Sequence, residues 1–211
     1  MNAALGYQPH WIREDFVDFI LQTIKPNLAW KRIVAEVTAT KSLCTDMVLL
    51  TLNPNHNFDL NQVKAGQSVL LNLKIEGVYQ QRSYSIVNVT AKGEIQLGVK
   101  VQGVVSNAVQ QLRIGDHVEI SQPQGEFVLH RGQQAALMMA SGSGITAIYS
   151  LLKQAIEQNL NEIHVLYFNR AEVFHQEILA LAEQHPQLKY HFFGASYLYL
   201  RGMNAEPNQG Y

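Results

Sequence analysis

The sequence predicts an antiparallel β structure followed by an incomplete parallel α/β unit. From Lys31 to Gln122, short runs rich in Val, Ile, Leu and Thr are separated by Gly, Asn, Pro or Asp. That pattern is typical of an antiparallel barrel or sandwich. From Gln134 onward, continuous apolar runs alternate with segments of helical spacing. Such alternation indicates parallel strands joined by crossover helices.

Six strands and one short helix are predicted in the first part. The strands are Ile33–Ala39, Met47–Leu52, Ser68–Ile75, Arg82–Val87, Ile95–Val101 and His117–Ser121, and the helix lies near Ser106–Leu112. Turn residues separate these runs at short intervals, as expected of a chain that reverses direction after each strand.

Three strands and two helices are predicted in the second part. The strands are Ala135–Ala140, Glu162–Phe168 and Leu188–Phe193, and the first reads as buried on both faces. The helix faces are marked by Ile148, Leu151, Leu152, Ala155 and Ile156, and by Phe174, Ile178, Leu181 and Ala182. Three strands are few, since doubly wound sheets usually have about five or more.

An amphipathic helix is predicted before the first strand. Its apolar residues recur at helical spacing and end at Pro26: Ile12, Phe16, Phe19, Ile20 and Ile24. The opposite face is too acidic for a typical membrane-surface helix, so we favour packing against the following domain over docking a partner. The predicted domains are residues 1–29 for this leader, 30–130 for the β domain, 134–194 for the α/β unit and 195–211 for an irregular tail.

Composition narrows the class of protein. The 211 residues carry a formal net charge of −1, with 47% apolar and 16% charged residues, as in ordinary soluble globular proteins. No basic excess indicates nucleic acid. No signal peptide and no apolar run of about 20 residues is present, so we expect a cytoplasmic protein.

Neither a metal site nor a structural disulfide is expected. The chain has one cysteine, Cys44, which excludes an intrachain disulfide and four-cysteine metal or iron–sulfur sites. We interpret Cys44 as a small buried apolar residue rather than a reactive thiol. The eight histidines have no metal-ligand spacing.

A glycine-rich turn is the strongest single candidate site. Gly142-Ser143-Gly144-Ile145-Thr146 follows a buried strand and opens a helix, where free N–H groups and close backbone approach favour a phosphate. An ordinary glycine turn between strand and helix explains the segment equally well. A serine-hydrolase elbow does not, because Ser141 and Ile145 flank Ser143 where glycines are needed.

Two further segments carry candidate binding residues. In Arg82-Ser83-Tyr84-Ser85, arginine suits a phosphate, tyrosine a flat ring and serine a ring nitrogen. Strand alternation puts Arg82 and Tyr84 on one face and the serines on the other. In Lys100–Asn107, Ser106 is suited to cap the short helix, and the helix start is suited to a pyrophosphate. Taken alone, Arg82–Ser85 is better explained as ordinary exposed strand residues, because exposed arginine and tyrosine are common on strands.

In this order the segments resemble the ferredoxin–NADP reductase superfamily. Its patterns are R-x-Y-S, G-x-x-S, P-x-G-x-F and G-x-G-x-T. The matching residues are Arg82, Tyr84 and Ser85; Gly103 and Ser106; Pro123, Gly125 and Phe127; and Gly142, Gly144 and Thr146. The resemblance covers roughly residues 30 to 193 and implies a flavin-binding barrel before a nicotinamide-binding α/β domain.

The resemblance also implies roles in holding FAD. Tyr84 would stack on the isoalloxazine ring, and Arg82 would hold the flavin phosphates. Ser85 would approach the reactive ring nitrogen and is the predicted catalytic residue. Gly103 and Ser106 would wrap the FAD pyrophosphate, and Lys100 and Val105 of the same segment are also predicted to bind cofactor.

A second group of roles concerns NAD(P)H. Gly142, Gly144 and Thr146 would hold the pyrophosphate of the nicotinamide cofactor. Arg170 follows the second parallel strand, where the family contacts the adenosine end. An arginine there suits a 2′-phosphate, which slightly favours NADPH over NADH.

The activity implied is hydride transfer from NAD(P)H to FAD, followed by single electrons to a 2Fe–2S ferredoxin domain or protein. The leader ending in Lys-Pro-Asn-Leu-Ala-Trp is similar to bacterial reductases that serve membrane fatty-acid desaturases. Compared with those proteins, the chain lacks the cluster cysteines and the end of the nicotinamide domain, so a C-terminal truncation is expected. The alternative is a truncated FAD-binding module without efficient NAD(P)H turnover.

Overall fold

The computed structural model of the protein describes residues 29–130 and 132–194. The predicted amphipathic helix and the predicted irregular tail lie outside these residues. Within them, six antiparallel strands close into a barrel, and three parallel strands form a separate sheet. The sequence pattern left a barrel and a sandwich open, and the structure is a barrel.

The barrel contains six strands and one helix between the last two of them. The strands are β1 (Ile33–Cys44), β2 (Met47–Pro54), β3 (Ser68–Ile75), β4 (Val78–Val89), β5 (Ile95–Lys100) and β6 (His117–Ile120), and the helix is α1 (Val104–Gln110). Their order is β1-β2-β5-β4-β3-β6. β6 pairs with both β1 and β3, which closes the barrel. Its core is filled by alternate apolar residues, including Val37, Leu50, Val69 and Leu97.

β1 continues to Cys44 and β2 to Pro54, beyond their predicted ends, and β4 differs from prediction at its start. It begins at Val78 rather than Arg82 because a tight turn joins it directly to β3, with Ile75 opposite Val78. The two turn residues, Glu76 and Gly77, both have positive φ. Two such residues form a hairpin turn whose twist matches that of the flanking strands.

The α/β unit alternates strands and helices as predicted. Its elements are β7 (Ala135–Ser141), α2 (Ile145–Glu157), β8 (Glu162–Phe168), α3 (His175–Gln184) and β9 (Leu188–Phe193). The sheet order is β7-β8-β9, and both pairings are parallel. One turn of 3-10 helix, Gly142–Gly144, joins β7 to α2.

The prediction that β7 is buried on both faces is wrong for the described residues. Met138 and Ala140 pack in the core that contains α2 and α3. Leu137 and Met139, on the opposite face, are 66% and 61% exposed. Among residues 29–130 and 132–194, the helices cover one face of the sheet, so the apolar run of β7 does not correspond to burial on both sides there.

Phe174 also differs from its predicted place on a helix face. It directly precedes α3 and has a left-handed backbone, with φ 57°. Its ring is buried and stacks on Tyr149, with the centroids 4.6 Å apart. Packing of the ring therefore holds a backbone conformation that bulky residues seldom adopt.

Within the described residues, no helix combines the length and the apolar character that a membrane crossing requires.

Candidate functional site

A cleft of about 440 Å³ lies where the barrel meets the α/β unit. Its walls come from β4, from the end of β5 with the start of α1, and from the turn before α2. The lining residues are Arg82, Ser83, Tyr84, Ser85, Gly98, Lys100, Gln102, Gly103, Val104, Val105, Ser106, Ser143, Gly144 and Thr146. Its size is that of an ordinary small-molecule site. Every predicted site residue except Gly142 and Arg170 lines it.

The cleft begins where β4 and β5 stop pairing with each other. Their pairing runs from Ile86 to Val89 of β4, whereas Arg82 to Ser85 pair with β3 only. One edge of this stretch of β4 therefore borders the cleft. This explains why Arg82 and Tyr84 line the cleft together with both serines, although strand alternation predicts opposite faces for the two pairs.

Tyr84 and Arg82 offer a ring and a cation to the cleft. Tyr84 is half-buried against the barrel core. Burial raises the pKa of its phenol, and the charge of Arg82 opposes this shift. The phenol is therefore neutral near pH 7. Arg82 is exposed, and its Nη1 donates to the carbonyl oxygen of Gln81 at 2.8 Å.

Ser106 organises the loop before α1 from inside the first helical turn. Its buried hydroxyl oxygen accepts hydrogen bonds from the N–H groups of Gln102 and Gly103, both at 3.0 Å, and donates to the Gly103 carbonyl at 3.0 Å. Gly103 is the N-cap residue, and Ser106, at the third helical position, contributes to the cap through its hydroxyl. This hydroxyl is therefore already engaged within the loop, whereas the first backbone N–H groups of α1 have no partner within the helix.

Glycine leaves the backbone accessible on both sides of the cleft. A Cβ added at Gly103 or at Gly144 would have no heavy atom within 4 Å, so at both positions the backbone faces open space. Thr146 behaves differently, because it is 3% exposed and its Oγ1 donates to the Ser143 carbonyl at 2.8 Å. The Thr146 hydroxyl therefore stabilises the turn rather than facing a ligand in the cleft.

Lys100 reaches from the barrel to the glycine turn. Its Nζ lies 3.8 Å from Asp46 Oδ2 and 3.8 Å from the position of a Cβ added at Gly142. Asp46 was missed by the sequence analysis because it is a turn residue between β1 and β2 that belongs to no pattern. The structure gives it a role, since it holds Lys100 beside the predicted phosphate-binding turn.

Cys44 is partly exposed rather than buried, contrary to prediction. Its Sγ donates to Asp46 Oδ1 at 3.1 Å. Desolvation raises the pKa of the thiol, and Asp46 adds to that effect. A raised pKa disfavours the thiolate, which agrees with the view of Cys44 as an unreactive thiol.

Arg170 lies outside the cleft. It is exposed and lies two positions after the end of β8. The glycine turn directly follows β7, and the carboxyl ends of neighbouring parallel strands lie at one edge of a sheet. Arg170 and the glycine turn therefore share the edge where open α/β sheets bind ligands. Among the described residues, no cluster of three or more His, Cys, Asp or Glu side chains is placed to hold a metal.

Comparisons with known proteins agree with this architecture. The chain is 30% identical over 151 residues to a flavohemoprotein of Pseudomonas putida, covering 69% of this chain and 38% of that protein. It is 32% identical over 136 residues to DmpP, the reductase component of phenol 2-monooxygenase from a Pseudomonas species, covering 60% and 38%. The chain thus spans well under half the length of these relatives.

A solved structure has the same fold. The ferredoxin NADP+ reductase of Neisseria gonorrhoeae, with bound FAD and NADP, superposes with a TM-score of 0.67 at 19% identity, covering 78% of this chain and 69% of that one. The barrel, the parallel sheet and the cleft between them define a two-part fold of the ferredoxin reductase type. Residues 34–129 match the family model described as oxidoreductase FAD-binding domain. This part of the chain is similar to that family.

Proposed function

We propose that the chain is the FAD-containing part of an NAD(P)H-dependent oxidoreductase that passes electrons on to an iron-containing acceptor. When bound, FAD would supply the redox chemistry by taking a hydride and releasing single electrons. One observation carries the proposal: the cleft brings a cation, a half-buried ring, a helix start and a glycine turn together between the barrel and the α/β unit.

The barrel side of the cleft fits a flavin nucleotide. We assign Arg82 to the phosphates, the Tyr84 ring to stacking on the flavin, and Ser85 to a hydrogen bond with the ring. The backbone N–H groups of Val104 and Val105 at the start of α1 suit the pyrophosphate, because the first N–H groups of a helix have no partner within it. The open space at Gly103 allows close approach.

The α/β side fits a second nucleotide. We assign the backbone at Gly142 and Gly144 to the pyrophosphate of NAD(P)H, with Lys100 beside it as a counter-charge. Thr146 holds the turn in shape through its bond to Ser143. Arg170, on the same edge of the sheet, suits the adenosine end and favours NADPH through its charge.

The acceptor is proposed by chemical class. The reductase component of phenol 2-monooxygenase is a relative, which supports an onward electron transfer step. We infer a 2Fe–2S carrier, either a separate ferredoxin or a domain of the same protein. A membrane fatty-acid desaturase as final acceptor is proposed from the sequence of residues 1–29, and a cytoplasmic location is proposed with it.

A second candidate is an FAD-binding module without efficient NAD(P)H turnover. The exposed apolar side chains of Leu137 and Met139 favour it, because the nicotinamide half has one bare sheet face among the described residues. In this case the barrel binds FAD, but the α/β unit does not hold the nicotinamide ring in a reactive position.

The visible absorbance spectrum of the purified chain, recorded before and after NADPH is added, separates these possibilities. Flavin bands that bleach support the oxidoreductase. Flavin bands that persist favour the module. A chain without flavin bands, even after incubation with FAD, contradicts both.

Replacing Ser85 by alanine should slow flavin reduction by NADPH while leaving FAD content unchanged. Loss of one well-placed hydrogen-bond donor at a reacting group costs about a hundredfold in rate. Stopped-flow absorbance measures the rate, and released FAD fluorescence measures the content.

Ser83→Ala is the matched control for this variant. Ser83 also lines the cleft, but its Oγ donates to Ser68 Oγ at 2.9 Å. We expect a much smaller change in the rate. If Ser85→Ala loses its FAD, or if both serine variants slow the reaction equally, the assigned role of Ser85 is wrong.

A further inference from the structure

Helix α2 docks on the barrel through one face. Thr146, Ser150 and Lys153 recur at the spacing that places side chains on one side of a helix, and all three contact barrel residues. We call this contact the α2 seam. It matters for the site because the glycine turn forms the start of the same helix, while the barrel partners include the strand that carries Tyr84 and Ser85.

Glycines at two positions of the barrel allow α2 to pack close to it. A Cβ added at Gly98, on β5, would lie 2.2 Å from Thr146 Cγ2 and 3.3 Å from Val87 Cγ2, so a larger residue fits only if the Thr146 side chain or the helix shifts. The N–H of Gly66 donates to Ser150 Oγ at 2.9 Å. Ser150 in turn donates to the Ala147 carbonyl at 2.8 Å. Ser150 thus links the barrel loop to the backbone of α2.

Lys153 forms the contact nearest the C-terminal end of the α2 seam. Its Nζ donates to Asn88 Oδ1 at 2.8 Å and lies 4.9 Å from the centre of the Tyr149 ring. The side chain is half-buried, and desolvation lowers the pKa of the ammonium group. Asn88 also donates from Nδ2 to Gln96 Oε1 on β5, at 3.2 Å. The amide that receives Lys153 is therefore fixed between two strands.

The seam connects the two halves of the proposed reaction. Asn88 lies three residues after Ser85 on β4, and Thr146 lies two residues after Gly144. A shift of α2 along the barrel would change the separation between the turn assigned to the nicotinamide nucleotide and the strand assigned to the flavin. Reaction rates are sensitive to such a shift, since a displacement of about 1 Å can cost about a hundredfold.

We propose that Gly98 and Lys153 are positioning residues, which hold α2 on the barrel at the distance that flavin reduction requires. This inference rests on the proposed function, because it assigns the seam a role in transfer between two cofactors. Neither residue needs to touch a cofactor for this role.

Three variants of the full chain test the proposal. Lys153→Met keeps the apolar stem and removes the bond to Asn88. Gly98→Ala introduces the Cβ that Thr146 excludes. In Gly98→Ala/Thr146→Ser, the Cγ2 nearest to that Cβ is gone while the hydroxyl that bonds Ser143 remains. Lys189→Met is the control for lysine removal, since Lys189 is an exposed residue of β9 with Glu162 3.8 Å away.

Two measurements are made on each variant. Hydrogen–deuterium exchange of the cofactor-free chain reports on the backbone of α2 and of β4 around Asn88. Stopped-flow reduction at saturating NADPH, with FAD content checked, reports on positioning. We expect faster exchange at α2 and a reduction rate lowered by about tenfold or more in Lys153→Met and Gly98→Ala. In the double variant, the exchange protection and the reduction rate should return towards those of a Thr146→Ser variant measured alongside. Lys189→Met should match the parent chain in both measurements.

Unchanged exchange in both Lys153→Met and Gly98→Ala overturns the seam itself. Faster exchange with an unchanged reduction rate overturns the positioning role. If the double variant does not recover, the effect of Gly98→Ala does not come from the contact with Thr146, and the proposal is contradicted. If the parent chain binds no FAD or is not reduced, the proposed function and the positioning role fail together, while the exchange data still decide whether the seam exists.

Discussion

Replacing Arg82 by alanine should weaken FAD binding by about tenfold to a hundredfold. A hydrogen bond that involves a charged group contributes about 1.5–3 kcal/mol, and about 1.4 kcal/mol corresponds to a factor of ten in a dissociation constant. The exposed guanidinium stands in the cleft beside Tyr84 and the start of α1. Titration of the flavin-free chain with FAD, followed by quenching of flavin fluorescence, measures the affinity.

Arg113→Ala provides a matched loss of positive charge. Arg113 is exposed and does not line the cleft, and its backbone N–H bonds Asp116 at 2.7 Å. We expect nearly unchanged FAD affinity in this variant. Equal weakening in both variants would mean that net charge, rather than a contact with the flavin phosphates, governs binding, and the role of Arg82 would be withdrawn.

Replacing Gly66 by alanine should lower the free energy of unfolding by about 3 kcal/mol or more. The added Cβ would lie 1.9 Å from the Phe127 carbonyl oxygen and 3.0 Å from Leu151 Cδ2. Overpacking of this kind typically costs about 1–3 kcal/mol, and the left-handed backbone, at φ 87°, adds about 1–2 kcal/mol for a residue with a Cβ. Urea unfolding followed by circular dichroism measures the loss.

Gly77→Ala separates the two causes of that loss. Gly77 has a similar φ of 83°, but a Cβ there would meet nothing within 4 Å. Only the conformational cost applies, so we expect a loss of about 1–2 kcal/mol. Similar losses at both positions would falsify the packing argument and leave backbone conformation as the whole effect.

The elements of the fold could be predicted because each depends on a local pattern. The bounds predicted for β3, β8 and β9 are those of the structure, since each is an apolar run between turn residues. The local pattern alone left a barrel and a sandwich open, because closure depends on β6 pairing with two strands far away in sequence; the barrel implied by the family resemblance is confirmed. The open face of β7 was missed for a similar reason: Leu137 and Met139 are as apolar as their buried neighbours.

The candidate site divides in the same way. The residues that share short motifs, such as Arg82 with Tyr84 and Gly103 with Ser106, could be found because motif and contact are both local. Gly98 carries no motif, and its role appears only when Thr146 lies against it. Lys153 and Asn88 are 65 positions apart, so no single-sequence pattern links them.

The single thiol gives the unaltered protein a built-in reporter. Cys44 is partly exposed at the end of β1 and packs against the core that contains α2. Because its pKa is raised, alkylation is slow in neutral buffer and becomes faster as the buffer is made alkaline. Because Cys44 packs beside this core, the rate of its alkylation reports on changes in the surroundings of β1 without an engineered label.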